Sequence, residues 1–388
     1  MAKSYADAYY SGEHYGRILT QVMVKLIRNA YEAALTMTAV LLCWALALCL
    51  EAVAGLHTDV LVLAVALTLT LAGTQRTADT RRRLTALALL PATAAVSILV
   101  GRLIAVHYVV GAAVFTAGIS APVWIRRYGH AATKAGTLMT LPFIALLVVP
   151  GPALPPKAQS GLVSWTWAAV IAVLAVCCVW LVQGLGDRYG PWRPDPEPPN
   201  PVPRRPSRLR PRPSTRMALQ LAVAIAAAFV AGRLLFDEHW PWAVLTAYVA
   251  ASGNRDRTDV VRKGIQRLGG ACAGTLLAAG VATAGVAGPT SVALMFTVLA
   301  IALWLRPINY AYWAAGMTTA LALLLGWFGQ DATSLLPTRL AAIAVGAALT
   351  VASAWWLLPV RRRRTATPDA GTARRLVRPS GSGVAQDA

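Results

Sequence analysis

The sequence predicts an all-α polytopic membrane protein with about twelve transmembrane helices, arranged as two parallel six-helix repeats. Three observations support this fold class. Of the 388 residues, 57% are hydrophobic and 13% are charged, and the mean hydropathy is +0.55. A soluble chain is typically about 45–50% apolar and about 25% charged. Long apolar segments also recur along the chain, and basic residues cluster between alternate segments.

The apolar segments are the predicted spans, because crossing a bilayer takes about 20 apolar residues in a helix. The first six are residues 31–54, 58–74, 84–100, 103–121, 135–150 and 161–184. The second six are residues 216–235, 239–253, 264–286, 289–305, 309–328 and 335–359. The loops between them are too short to hold a soluble catalytic domain.

Polar stretches divide the chain into five predicted parts. Apolar residues from Ile18 to Ile27 have the spacing of an amphipathic helix on the membrane surface. Ten prolines and seven arginines occupy residues 186–215, which indicates an extended linker. The parts are a cytoplasmic tail with the surface helix (1–30), the first repeat (31–184), a cytoplasmic linker (185–215), the second repeat (216–359) and a basic cytoplasmic tail (360–388).

The distribution of basic residues predicts the orientation of the chain. With the N-terminus inside, 32 of the 36 Lys and Arg residues fall in cytoplasmic segments, as the positive-inside rule requires. The exceptions are Arg102, Lys157, Arg233 and Arg339. We therefore expect a multi-pass protein of the plasma or inner membrane with both termini cytoplasmic. The net charge of +20 then reflects topology, and we expect no nucleic-acid partner.

The two predicted repeats share residues at a constant spacing. Gly73, Arg126, Ala135 and Gly136 recur 180 residues later as Gly253, Arg306, Ala315 and Gly316. An even number of spans per repeat gives both repeats the same orientation, related by an axis along the membrane normal. Sites of transporters built this way commonly lie where the repeats meet.

Hydrolytic, redox and nucleotide chemistry find no support in the sequence. The five histidines are not placed with a Ser or Cys nucleophile, and no phosphate-binding Gly-x-x-x-x-Gly-Lys motif occurs. The five cysteines lie in apolar segments without metal-ligand spacing. The sequence therefore predicts no enzyme activity, no catalytic residues, no metal and no cofactor.

Basic, aromatic and small residues are concentrated around one loop of the second repeat. Gly269, Gly270 and Gly274 predict close helix packing. Arg267 introduces this Gly-rich span, and a guanidinium there can bind a carboxylate through two hydrogen bonds. The predicted substrate path consists of Arg267, Arg262, Lys263, Trp242, Tyr248, Tyr310, Tyr312, Trp313, Arg233 and Arg102. For the basic residues, topology signals are the alternative; for the aromatic ones, an interfacial belt.

This region resembles the fusaric acid resistance protein-like family of membrane transporters. The resemblance rests on a Trp-led span (Trp242 to Tyr248), a basic loop with Arg257, and Arg267-Leu-Gly269-Gly270. The family pattern has Thr soon after the first Gly, whereas here the Thr comes later, as Thr275. The first repeat has Ala86 in place of Arg267. The resemblance implies export of aromatic carboxylic acids, with organic-anion channels among plant relatives.

Two classes of function follow from the sequence. The first is an integral membrane transporter that exports organic anions such as aromatic carboxylic acids, with an organic-anion channel as its close alternative. The second is a non-transporting membrane scaffold for envelope assembly, whose basic tails contact anionic lipid. The expected partners are the lipid bilayer and a small organic anion, and a homo-oligomer is left open.

Overall fold

The computed structural model describes residues 2–54, 59–75, 80–148, 161–192, 213–252, 257–285, 288–327 and 332–357. Within these ranges the chain forms twelve α-helices and contains no β-strand. Lys157, most of the predicted Pro/Arg-rich linker and the basic tail of residues 360–388 lie outside the described residues.

The α-helices follow the predicted spans in order, and each predicted span overlaps one helix over most of its length. In the first half they are α1 (Ala2–Ala54), α2 (Asp59–Gln75), α3 (Thr80–Val106), α4 (Tyr108–Ile125), α5 (His130–Val148) and α6 (Gly161–Tyr189). In the second half they are α7 (Pro213–Phe236), α8 (Trp240–Ala251), α9 (Arg257–Thr283), α10 (Pro289–Leu305), α11 (Tyr310–Trp327) and α12 (Ala332–Trp356).

Several of these helices are long and apolar enough to cross a membrane. By length and composition, six stretches of the described chain qualify, and one of them covers both α7 and α8. They are Leu19–Ala54, Arg83–Val106, Tyr108–Tyr128, Thr166–Tyr189, Ser214–Ala251 and Pro337–Trp356, with shorter apolar helices at Leu61–Gln75, Ala135–Ile144 and Pro289–Leu305. The protein is therefore an all-helical membrane protein, while the count of twelve spans stays a prediction.

The N-terminal helix differs from the prediction. The residues predicted as a surface helix and the span predicted from Tyr31 belong to one helix, because α1 runs without a break from Ala2 to Ala54; the placement of its first part on the membrane surface stays a prediction. The sequence around Tyr31 contains neither proline nor glycine, so nothing local ends the helix there. Its 53 residues extend for about 80 Å, more than a bilayer's thickness.

Six helix pairs of the first half have counterparts in the second half. In the first half the pairs are α1–α2, α1–α6, α2–α6, α3–α5, α3–α6 and α4–α5; adding six to each number gives six pairs that also pack in the second half. The halves meet through α4 against α7 and α1 against α10, and these two contacts are related by the same exchange.

A close glycine contact also recurs at the spacing seen in the sequence. A methyl group on Gly136 of α5 would clash with Pro122 of α4, and one on Gly316 of α11 would clash with Ala302 of α10. Both residues of the first contact lie 180 positions before those of the second. This agreement favours the predicted repeat, because the same two helices approach closely at the same position in each half.

Three buried apolar clusters hold the helices together. One lies within the first half and includes Leu67, Leu90 and Ile171, which are fully buried. A second joins the halves around Phe115 and Phe229, whose rings pack edge to face with centroids 5.3 Å apart. A third connects α1 and α2 with α10 and α11. The buried contacts between the halves therefore place them side by side.

Candidate functional site

Four helices of the second half converge around a group of cationic side chains. Helix α9 packs against α11 and α12, and α8 packs against α12. Along α9, the residues Lys263, Arg267, Gly270 and Gly274 recur with the spacing of one helix face. The first two of these residues carry positive charge. The last two are glycines, and their lack of a side chain allows α11 to approach closely.

Gly270 and Gly274 lie at the contact between α9 and α11. A methyl group on Gly270 would collide with the backbone oxygen of Ala311, and one on Gly274 would collide with that of Ala315. The Thr319 hydroxyl also donates a hydrogen bond of 3.0 Å to the Gly274 carbonyl. Gly269 is not part of this contact: a side chain there would meet nothing within 4 Å, because the residue lies on another face of the helix.

Arg267 is held by two hydroxyl groups from different helices. Its Nε donates to the Thr246 hydroxyl of α8 at 3.2 Å, and Nη1 donates to the Tyr310 hydroxyl of α11 at 3.3 Å. Thr246 is fully buried. These long hydrogen bonds to uncharged acceptors orient the guanidinium without neutralising its charge, so the group retains its capacity to bind an anion.

Arg339 of α12 is the only charged residue among the described residues that is buried, with 7% of its surface exposed. Its guanidinium carbon lies 5.7 Å from the centre of the Trp242 ring, a cation–π contact. None of the described carboxylates forms an ion pair with it, and Arg267 is near enough to repel it. The described acids of this half, Asp237, Glu238 and Asp259, are all exposed.

Close packing of α12 on α8 determines where Arg339 lies. A methyl group on Gly346 would collide with the Ala243 backbone oxygen, and the Thr350 hydroxyl donates to the Ala247 carbonyl at 3.2 Å. Arg339, Gly346 and Thr350 have the spacing of one helix face. Because the glycine brings the two backbones together, the long arginine side chain extends along α8 to Trp242.

Lys263 lies about one helical turn before Arg267 on α9, just before the predicted span of residues 264–286. Its Nζ donates to the Ser252 carbonyl at 2.7 Å and lies 5.6 Å from the centre of the Tyr310 ring. Burial, followed by repulsion from Arg306 and Arg267, lowers the pKa of Lys263 to about 8. Lys263 therefore extends the positive region towards the start of α9, whereas Arg262 is exposed and does not join it.

Residues 221–353 match a family model described as fusaric acid resistance protein-like. The second half of the chain therefore carries a fusaric acid resistance protein-like domain. The matched range includes both arginines and the three residues that contact them, namely Arg267, Arg339, Trp242, Thr246 and Tyr310. Comparison with curated proteins and with solved structures gives no match.

The aromatic residues predicted for the path lie in different places within this domain. Tyr310 contacts Arg267, and Trp242 contacts Arg339. Tyr312 is half exposed. The centre of the Trp313 ring lies 5.3 Å from the guanidinium carbon of Arg306. Tyr248 packs on the apolar cluster that joins the halves around Phe115 and Phe229, since two residues along a helix turn the side chain away from Thr246.

The two arginines predicted at the outer ends of helices lie apart from this group. Arg233 of the fusaric acid resistance protein-like domain is half exposed and forms a 2.7 Å ion pair with Asp237. Arg102 is half-buried on α3, in the first half. A charge that is already paired by a neighbour four residues away has less capacity for another anion, so the structure favours Arg267 over Arg233 as an anion ligand.

Sequence reasoning missed two contact residues, Thr246, which accepts a hydrogen bond from Arg267, and the charged Arg339. The positive-inside count placed it among the four exceptions and gave it no further role. A signal was nevertheless present in the fusaric acid resistance protein-like domain: an arginine four residues inside a predicted span, on a helix without an acidic residue. Ionisable residues inside spans usually face the protein interior and mark ligand or ion pathways.

Proposed function

We propose that this protein is a membrane transporter that exports organic anions, with aromatic carboxylic acids as the substrate class. The observation that carries the proposal is the position of Arg267 within the second half. Its guanidinium lies between Thr246 and Tyr310, close to Arg339 and without a described carboxylate nearby. Arg267 is half-buried and Arg339 is buried, and a cation withdrawn from water without a counter-ion is costly unless an anion binds to it.

The fusaric acid resistance protein-like match supports the transporter class. The aromatic substrate class comes from the resemblance and is compatible with Trp242 and Tyr310 beside the two cations. An aromatic carboxylate supplies both kinds of contact, since its anionic group accepts hydrogen bonds from a guanidinium and its ring packs on aromatic side chains.

Flux of carboxylates in proteoliposomes tests this function. The protein is reconstituted, and the release of benzoate, phenylacetate, cyclohexanecarboxylate and acetate is followed with and without a pH gradient. We expect flux of the aromatic acids to exceed that of acetate. Flux that ignores the pH gradient favours a channel or uniporter, and no flux of any carboxylate at verified reconstitution contradicts transport and favours a scaffold.

Arg267→Lys tests whether the shape of the guanidinium matters to transport. Lysine keeps the positive charge that orients the span but lacks the planar fork that binds a carboxylate twice. Losing one charge-assisted hydrogen bond weakens binding by about ten- to a hundredfold. Arg188→Lys is the matched control, because Arg188 is exposed at the end of α6, beside Tyr189. Equal flux in wild type and Arg267→Lys, at equal protein, contradicts a role for the fork.

The proposed direction of transport depends on the predicted orientation in the plasma or inner membrane. In that orientation both termini and the linker around Arg204 are cytoplasmic, and Lys157 faces outward. Single cysteines at these two positions, in a chain without native cysteines, are labelled in intact cells with a membrane-impermeant reagent. We expect labelling at position 157 only; labelling at position 204 contradicts the orientation.

A further inference from the structure

We propose that Arg267 and Arg339 form one anion site, in which a single carboxylate binds between the two guanidinium groups against the Trp242–Thr246 face of α8. The inference deepens the proposed function, on which it rests for the role of the bound anion in transport. It assigns Arg339 as the second residue that binds the anion. Arg339 lies outside the sequence pattern that predicted Arg267.

Both arginines contact the same face of α8. Arg267 donates to Thr246, and Arg339 lies over the ring of Trp242. Trp242 and Thr246 are four residues apart, so they lie one above the other, about 6 Å apart along the helix axis. A carboxylate that accepts hydrogen bonds of about 2.8 Å at both oxygens can bridge a gap of this order.

The surroundings of Arg339 are those of a ligand site and not of a structural ion pair. A buried arginine with a structural role is usually paired with a carboxylate. Here the guanidinium lies over the ring of Trp242, and the charge that acts on it is the positive Arg267. A bound monoanion relieves the repulsion between the two arginines, and the empty site keeps Arg339 in place through its cation–π contact.

The position of Trp242 also indicates what the anion carries. Its ring lies beside Arg339, and His239 packs on it at 4.7 Å between ring centroids. A carboxylate held between the arginines therefore has its apolar part next to Trp242. The site suits a monocarboxylate with a flat ring better than a short aliphatic acid, because the ring adds packing against an aromatic face.

Binding and thermal unfolding of the full-length protein in detergent test this site. Benzoate binding is measured by calorimetry for wild type, Arg339→Gln, Arg339→Lys and the control Arg188→Gln. We expect Arg339→Gln to weaken binding about ten- to a hundredfold and Arg339→Lys to weaken it less. The control variant is expected to bind benzoate like wild type.

Stability separates a ligand site from a structural role. Because Arg339→Gln removes an uncompensated buried charge, its Tm without benzoate should equal or exceed that of wild type. Benzoate should raise the Tm of wild type and not that of the variant. A lower Tm in Arg339→Gln, fully restored together with binding in Arg339→Lys, overturns the inference, since charge alone then suffices.

The flux assay distinguishes failure of this inference from failure of the proposed function. If wild type transports benzoate and Arg339→Gln binds and transports it equally well, the arginine pair is overturned and transport stands. Binding that requires Arg339, without flux in wild type, supports the pair and overturns transport. Absence of both binding and flux for benzoate, phenylacetate and cyclohexanecarboxylate overturns both.

Discussion

The two halves of the chain pair their helices alike but fill the equivalent contact differently. In the first half, Ala86 of α3 is fully buried in an apolar cluster with Leu90. In the second half, the equivalent residue is Arg267, 181 positions later, and it hydrogen bonds with two neighbouring helices. The same packing arrangement therefore supports an apolar core in one half and a cationic interior in the other.

The size of the residues at the helix contact also differs between the two halves. Gly270 and Gly274 of α9 meet the backbone of α11, whereas the equivalent positions in α3 are Leu89 and Thr93. Likewise α12 carries the buried Arg339, while the described part of α6 carries no charge before Asp187. We infer that the first half serves mainly as a packing partner and that anion binding belongs to the second half.

Exchanging the residue types at the two equivalent positions should have the largest effect on folded yield. Ala86→Arg places a charge and a long side chain where no surface is exposed, which costs about 2.5–3.5 kcal/mol for the charge in a membrane helix alone. Arg267→Ala removes a charge and should leave folding intact. We expect folded yield, measured by size-exclusion chromatography of the detergent extract, to collapse for Ala86→Arg only. Similar yields for both variants contradict the assignment of different interiors.

The glycine contact should show the next largest effect. Gly270→Leu forces a side chain into the backbone of α11, and overpacking of this kind costs about 1–3 kcal/mol. We expect a lower Tm and a several-fold lower yield. Gly269→Leu is the matched control on the same helix, since its side chain enters open space. Equal Tm values for the two variants contradict the close contact between α9 and α11.

The order of the helices could be predicted from the sequence, but their rotation could not. Apolar length and basic loops located each helix, whereas Arg267 was proposed as an anion ligand because it precedes a Gly-rich run, and that role stays a prediction. The inward direction of Arg339 was not predictable, because the positive-inside rule reads only which side a charge is on. Tyr248 and Gly269 lie away from the Arg267 group and the α9–α11 contact for a related reason: one or two residues along a helix change the face, and only packing decides which face is buried.

The smallest expected effect is the pH dependence of anion flux. It should arise from Lys263, which lies in the second half. Burial lowers the pKa of Lys263 to about 8, so the ammonium is present below that pH and is lost as the pH rises through it. A nearby bound anion favours the protonated form, which moves the midpoint upward from that of the empty protein. Anion flux should therefore be nearly constant from pH 6 to 7 and fall several-fold by about pH 9.

The Lys263→Arg variant isolates this contribution. Arginine keeps its charge across the whole range, because its pKa lies well above that of lysine. The variant should therefore lose most of the decline in flux between pH 7 and 9 while it retains the flux of wild type at pH 6. Flux is measured in proteoliposomes with equal pH on both sides, so that no proton gradient contributes. An equal decline in wild type and Lys263→Arg means that another group titrates, and Lys263 then has no part in attracting the anion.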